Sequence, residues 1–322
     1  MTSLKTSASL TQTAWLAFFT AATTQLAFGS VANSPLGSDW QNQAYANGGG
    51  FKVDVRYDFN NQNQPWSGKS AVSTWPVAGT EQELQTLNQI YTVSLDYSDG
   101  KNWGLNVQLP YIFRTHDTNG FVFDGSDAGS AQHQGLGDIK VVARAQIEVA
   151  EQTLGLQAGA KLATGNTTQV YTSGALAGTP LARSLQLGTG TTDSILGLYL
   201  FGKITSNFDY YAQGLYQSAA SQSQGYRPGD VVNATLGFRY LGNTSVVPMI
   251  QFNACWIGQD AGVNADVANS GGQALFVSPG LAVPVAKYFN AYLFWELPVY
   301  QNYNGYQLVP RSHVTLGGRF DF

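Results

Sequence analysis

The sequence predicts an all-β protein, a transmembrane antiparallel up-and-down barrel of about twelve strands behind an N-terminal signal peptide. Three observations carry this. Charged residues are only 11% of the chain while hydrophobic residues stay at 43% and mean hydropathy is −0.12; an average soluble domain carries roughly 25% charge. Apolar and polar residues alternate with period two along most of the length, the signature of strands with two unlike faces. The links between alternating stretches are long and short in turn, as in a barrel with extended outer loops and tight periplasmic turns.

The same composition excludes other classes. A helical membrane protein needs runs of roughly 20 apolar residues, and none follows the N-terminal region. A net charge of −4 and a pI near 5.3 supply no basic footprint for nucleic acid. Aromatic residues at 13% argue against disorder. The lone Cys255 leaves no intrachain disulfide and no CxxC motif.

The N-terminus holds Lys5, the apolar stretch from Ala14 to Phe19, and small residues through Ser30-Val31-Ala32. This pattern predicts a secretory signal over 1–32, cleaved after Gly29 or Ala32. A periplasmic segment over 33–49 and a barrel over 50–322 follow.

Twelve candidate strands cover 50–60, 89–98, 102–113, 136–149, 153–164, 191–204, 207–218, 230–241, 244–258, 271–284, 288–300 and 311–322. In the first, Phe51, Val53, Val55, Tyr57 and Phe59 alternate with Lys52, Asp54, Arg56 and Asp58. One face is apolar and the other ionic, which suits a wall between lipid and a polar lumen. Tyr91 to Tyr97 alternate with Thr92, Ser94 and Asp96, and the pattern recurs over Leu154–Leu162, Val232–Tyr240 and Val246–Trp256. The long links are 61–88, 114–135, 165–190, 219–229, 259–270 and 301–310; the short ones are 99–101, 150–152, 205–206, 242–243 and 285–287. A soluble β-sandwich would not explain that alternation of loop length. Aromatics such as Phe51, Tyr97, Trp103 and Tyr240 fall near one rim, and Tyr91, Tyr111, Trp256 and Tyr300 near the other, as headgroup-level girdles do. The last strand ends in Phe320 and Phe322 on its apolar face, and resembles the signal read by the outer-membrane barrel assembly machinery.

Strand parity aims Lys52, Asp54, Arg56, Asp58, Asp138, Lys140, Arg144, Glu148, Lys161, Arg239, Glu296, Arg319 and Asp321 into the lumen. The signs nearly balance, so the lumen is expected to be nearly neutral, without the single-sign lining of a strongly ion-selective pore. Closing the ring pairs the first and last strands and predicts two opposed pairs, Lys52 with Asp321 and Asp54 with Arg319. Tyr292 and Phe294 share this parity and add aromatic surface. The expected solute path therefore runs past Arg144, Lys161, Arg239, Tyr292, Phe294 and Glu296. Twelve strands leave a narrow interior, which inward loops or the N-terminal segment could plug.

No catalytic or metal-binding residue and no cofactor are expected. His116 and His133 are read as members of a long solvated loop with Asp117, Asp124 and Asp127, at a spacing that matches no zinc pattern. A lipid-modifying enzyme would need a serine beside a base such as His313, and no such pairing is visible. The stretch from Gly188 to Thr192 lacks the lysine of a phosphate loop and reads as a loop-to-strand entry.

Several short motifs occur in order: Leu109-Pro110-Tyr111, Gly135-Leu136-Gly137-Asp138-Ile139, Lys161-Leu162-Ala163-Thr164-Gly165, Gly188-Thr189-Gly190-Thr191-Thr192-Asp193, Gly271-Gly272, Ser278-Pro279-Gly280-Leu281 and Leu297-Pro298-Val299-Tyr300-Gln301. Through them, residues 85–322 resemble the outer-membrane transporter family grouped under the meta-pathway of phenol degradation, with Ala163 where that family usually has proline. The resemblance implies an outer-membrane channel for small hydrophobic or aromatic solutes, in contact with outer-membrane lipid; the charge balance leaves no nucleic-acid partner expected. A non-conducting barrel that scaffolds or binds is the alternative. The motifs sit at strand ends and read as architectural.

Overall fold

The computed structural model describes residues 24–28, 31–36, 49–73, 81–120, 126–242 and 245–322, the first two stretches as backbone only. Strands β1 (Thr24–Phe28) and β2 (Val31–Leu36) pair as a separate hairpin across the expected leader boundary. The rest of the expected leader and of segment 33–49 lies outside the described residues, apart from Gly49.

The wall is built from β3 (Gly50–Gly68), β5 (Glu83–Ser98), β6 (Trp103–Thr118), β8 (Lys140–Val149), β9 (Gln152–Lys161) and β11 (Asp193–Thr205). It continues through β12 (Phe208–Ala219), β13 (Val231–Tyr240), β14 (Val247–Ile257), β15 (Gly272–Ala286) and β16 (Phe289–Asp321). Each pairs antiparallel with its sequence neighbour in the wall; β6–β8 and β16–β3 pairing completes the ring. Three short pieces, β4 (Ser70–Ala71), β7 (Gly129–Leu136) and β10 (Ser173–Gly174), extend the long-loop end.

β16 has 33 residues, which would span about 110 Å if straight. It folds back instead. Its first part pairs with β15 and its second with β3. Phe289 stacks on Phe320, the Tyr292 ring lies over Gly317, and Glu296 meets His313. Each pair sits symmetrically about Asn304-Gly305, and Gly305 takes φ +56°, the left-handed region that a side chain resists. The eleven wall elements therefore cross the wall twelve times. The long loop expected at 301–310 is corrected to this tight turn.

Burial follows the alternation. Along β13 the pattern is buried-exposed almost without a break, with Asn233, Thr235 and Arg239 inside. Outside stand Leu95, Leu156, Leu198, Trp295 and Leu316, the surface a lipid bilayer would cover. Aromatic rims form as Phe51–Tyr97–Trp103 and Phe208–Tyr240 at the short-turn end, and Tyr57–Tyr91–Phe113–Tyr111 at the other. Phe320 and Phe322 lie exposed on this outer face, and the Phe322 N–H closes onto the Phe51 carbonyl.

The strands overrun the expected boundaries at the long-loop end. β3, β5 and β6 continue through Gln62, Thr86, Asn88, Arg114 and His116, all buried inside. Apolar alternation fades there, with Asn61, Asn63, Gln85 and Thr115 at outward positions, while the hydrogen-bond ladder continues. The expected strand 136–149 forms only from Lys140, as β8; Leu136 ends the separate β7, and the chain is broken at 137–139 where the Gly137 N–H turns to the Pro110 carbonyl.

Candidate functional site: the lumen and its inward loop

At the short-turn end the lumen is filled with aromatic and apolar side chains. Tyr199, Phe201, Tyr211, Val247, Met249, Ala282, Tyr292 and Phe294 form one buried cluster. Their polar ends are satisfied inside: Tyr199 Oη donates to Gln146 at 2.6 Å, Tyr211 Oη to Gln213 at 2.6 Å, and Tyr292 Oη to Asp54 at 3.0 Å. The Arg239 guanidinium lies 5.7 Å from the Phe201 ring centre, a cation–π distance. The structure thus brings Tyr292, Phe294 and Arg239 of the expected path to one level.

Several lumenal charges are held in ion pairs. Arg144 grips Asp96 with two bonds of 2.8 and 2.9 Å, and Arg239 grips Asp209 with bonds of 2.7 and 2.5 Å. Arg56 bonds Asp58 at 2.7 Å on its own strand. His313 stands between Glu296, at 3.0 Å, and Asp58, at 3.6 Å; Glu296 also accepts from Asn253 at 2.9 Å. The first and last strands adopt the expected register, with Lys52 opposite Asp321 and Asp54 opposite Arg319. Lys52 reaches Asp321 at 4.0 Å, whereas Arg319 directs its Nε to Asp321 at 3.1 Å and Asp54 accepts from Tyr292. Glu148, expected inside, is exposed beside the short turn that ends β8, which leaves its charge in solvent. Asp96, Asp193 and Asp209 are buried partners missing from the expected set. Asp96 was readable, since it shares parity with Thr92 and Ser94; Asp209, at a strand start, had no such context.

Three of the sequence motifs meet at one point. Lys161 Nζ, fully buried, donates to Asp138 at 2.8 Å, Thr189 Oγ1 at 2.5 Å and the Thr191 carbonyl at 3.0 Å, and lies 3.3 Å from Asp193. Asp138 also accepts from the backbone N–H groups of Thr189, at 2.9 Å, and Gly165, at 3.0 Å. Gly165 and Gly188 approach so closely that a Cβ on either would lie 2.6 Å from the other's Cα. These contacts knot both ends of the long loop 162–192 onto the wall. The stretch from Gly188 is therefore the clamp of this loop as well as a strand entry.

The loop itself turns into the barrel. A single 3-10 turn, Arg183–Leu185, carries Leu185 into contact with Tyr171, Leu181 and Ala131, while Leu187 packs on Ile90 and Ile112. Arg114, buried and expected to be in a loop, holds the segment from the wall: Nη1 donates to the Gln186 carbonyl at 2.9 Å and Nε to Asn88 at 2.6 Å. Arg183 bonds the carbonyls of Thr167 and Thr189 at 3.0 and 2.9 Å.

Above the loop a cavity of about 1010 Å³ opens outward, lined among others by Glu81, Glu83, Tyr171, Arg183, Tyr226 and Asp266. His116 corrects its expected place in a solvated loop. It lies on β6, fully inside, because the ladder with β5 continues to this level. Its Nδ1 is 2.8 Å from Thr86 Oγ1 and its Nε2 3.0 Å from Glu81 Oε1, which also accepts from the Tyr171 hydroxyl. His133 is likewise on a strand, β7, with its Nε2 2.7 Å from the Val170 carbonyl. Of its expected loop neighbours, Asp117 is on β6 and Asp124 lies outside the described residues. Burial, reinforced by the charges of Glu81 and Asp266, holds the Glu83 carboxyl well above the usual carboxylate range.

No family model matches this chain, and no curated protein does. Among solved structures, an outer membrane channel from Pseudomonas putida F1 is similar at a TM-score of 0.64 and 12% identity, over 85% of this chain and 96% of that one. The fold is that of an outer-membrane β-barrel. The NanC porin, at TM-score 0.48 and 11% identity, matches over 84% of this chain and all of its own. The Ralstonia pickettii toluene transporter TbuX, at 0.45 and 9%, matches over 85% of this chain and 90% of its own. The likeness of fold is carried by the first of these.

Proposed function

We propose that this chain is an outer-membrane channel of Gram-negative bacteria for passive uptake of small, weakly polar or aromatic molecules. The observation that carries the reading is the pairing of an aromatic lumen with neutralised charge. Tyr199, Phe201, Tyr211, Tyr292 and Phe294 line one half, while Arg144, Lys161 and Arg239 each face a carboxylate. Such a lumen offers little net field to an ion and apolar surface to a ring. Solutes enter through the outer cavity, pass the inward loop at Leu185 and Leu187, and reach the aromatic level. No cofactor takes part. The resemblance to the phenol-degradation family adds aromatic compounds as the solute class, and outer-membrane lipid and the barrel assembly machinery are the partners this reading needs.

One observation favours a second reading. Arg56, Lys161, Tyr199 and Tyr211 are at most 1% exposed, so the wall is packed inward as a scaffold or binding barrel would be. Liposome swelling and planar-bilayer conductance of the purified chain separate the two. The channel reading expects phenol-like solutes to enter faster than sugars of similar size, with protein-free liposomes as the baseline. Equal rates would remove the aromatic preference; no swelling and no conductance would favour the scaffold.

A further inference from the structure

The outer mouth carries a constellation that solute passage does not use. Glu81, Glu83 and His116 each present a ligand atom within 4.8 Å of the others. Two features show how the chain aims them together. The first is a bulge in β5, where the register against β6 shifts between Glu83 and Gln85. Alternation from Thr86, Asn88 and Ile90 would turn Leu84 inward and Glu83 outward. The bulge reverses this: Leu84 is 48% exposed and Glu83 only 2%. Re-aiming a side chain is what bulges do near functional sites. Here an apolar residue is put outside and a carboxylate inside.

The second feature is the setting of His116. Its Nδ1 is engaged by Thr86 on the opposed strand, which fixes the ring and directs Nε2 toward Glu81. An outer partner on one ring nitrogen that orients the other is the usual support of a metal-bound imidazole. Glu81 and Glu83 also line the outer cavity, which supplies an entry path.

We propose that Glu81, Glu83 and His116 form a binding site for one divalent transition-series cation such as Zn²⁺. An imidazole nitrogen with two carboxylates suits such ions, whereas Ca²⁺ and Mg²⁺ take all-oxygen sets. The bound ion takes the place of the His116–Glu81 hydrogen bond and joins the start of β5 to β6. Through the Tyr171 hydroxyl on Glu81 it also bears on the inward loop. The site is independent of whether the lumen conducts.

The test uses the full mature chain, untagged, stripped with chelator and titrated with ZnCl₂ by calorimetry, then with CoCl₂ by visible absorption. One Zn²⁺ per chain is expected, with binding weakened at least about tenfold in Glu83→Gln and in His116→Gln. Loss of the Co²⁺ d–d bands in His116→Gln is expected too. His133→Gln is expected to bind as the parent does. Glu83→Gln removes one carboxyl ligand and keeps the side-chain shape, so its fold, read by heat-modifiable gel mobility, is expected to persist. Absence of stoichiometric Zn²⁺ binding at about 100 μM in the parent, or equal affinity in the parent and both variants, would overturn the site.

Discussion

Replacing Lys161 by methionine keeps the length of the side chain and removes only its charge and its donors. Lys161 Nζ lies 2.8 Å from Asp138 and 3.3 Å from Asp193, and none of the three is more than 2% exposed. Removing one partner from a buried ion pair costs about 3–5 kcal/mol, because the charge left behind has neither water nor a counter-ion. The remaining contacts place this site at the lower end. Asp138 keeps the N–H groups of Thr189 and Gly165, and Asp193 keeps Thr191 Oγ1 and the Gln217 amide, both at 2.7 Å. A loss of about 3 kcal/mol is therefore expected in Lys161→Met, read by denaturant unfolding of the refolded barrel through its tryptophans. Adding Asp193→Asn removes one of the two stranded charges and is expected to recover about 1–2 kcal/mol. The same knot holds loop 162–192, so trypsin is expected to cut after Arg183 in the variant far faster than in the parent. An unchanged unfolding midpoint together with an uncut Arg183 would refute the clamp.

Arg114→Met cuts the bonds to the Ser184 and Gln186 carbonyls; if the inward loop obstructs the lumen, single-channel conductance is expected to rise, and identical traces would count against that role. The turn between β8 and β9 places Ala150 and Glu151 at φ 49° and 64°, so Ala150→Asn with Glu151→Gly is expected to stabilise the barrel by about 1 kcal/mol in the same unfolding assay. Asp230 accepts from Tyr216 at 2.7 Å, Ser218 at 2.8 Å and Arg227 at 2.8 Å, and these partners overcome partial burial to lower its carboxyl's pKa. A lowered carboxylate contributes stability above its unfolded value, near 3.8, and loses it as pH falls through the folded one. Loop 220–230 is therefore expected to become protease-sensitive only in strong acid, and in Asp230→Asn to be loosened already at neutral pH with that acid step gone.

Several parts of the fold were legible because they depend on neighbours one or two residues apart. Phe51 to Phe59 declares its two faces in nine residues, and the register that opposes Lys52 to Asp321 follows from closing a ring whose ends carry complementary charge. Asn304-Gly305 is a strong turn dipeptide, yet 301–310 reads as a long link. Pro310 is accommodated by register shifts on either side of it, between Val309 and His313. The bulge at Leu84 has no sequence signal at all, since only the partner strand shows that a residue is extra.

The sequence by itself determined the wall: a strand side chain's face is set by period two, and a bilayer outside with polar matter inside leaves that period written in the residues. It also placed Arg144, Lys161, Arg239, Tyr292, Phe294 and Glu296 on the inner face. Only the tertiary structure decided what those residues touch. Asp96 to Arg144, Asp138 and Asp193 to Lys161, and Glu81 to His116 are separated by 23 to 48 residues. Such contacts depend on which strands become neighbours and on how a 31-residue stretch between Lys161 and Asp193 folds inward rather than outward. The buried Lys161 and Arg114 favour the inward path, because the loop brings Thr189 Oγ1 and the Thr191 carbonyl to the first and the Ser184 and Gln186 carbonyls to the second.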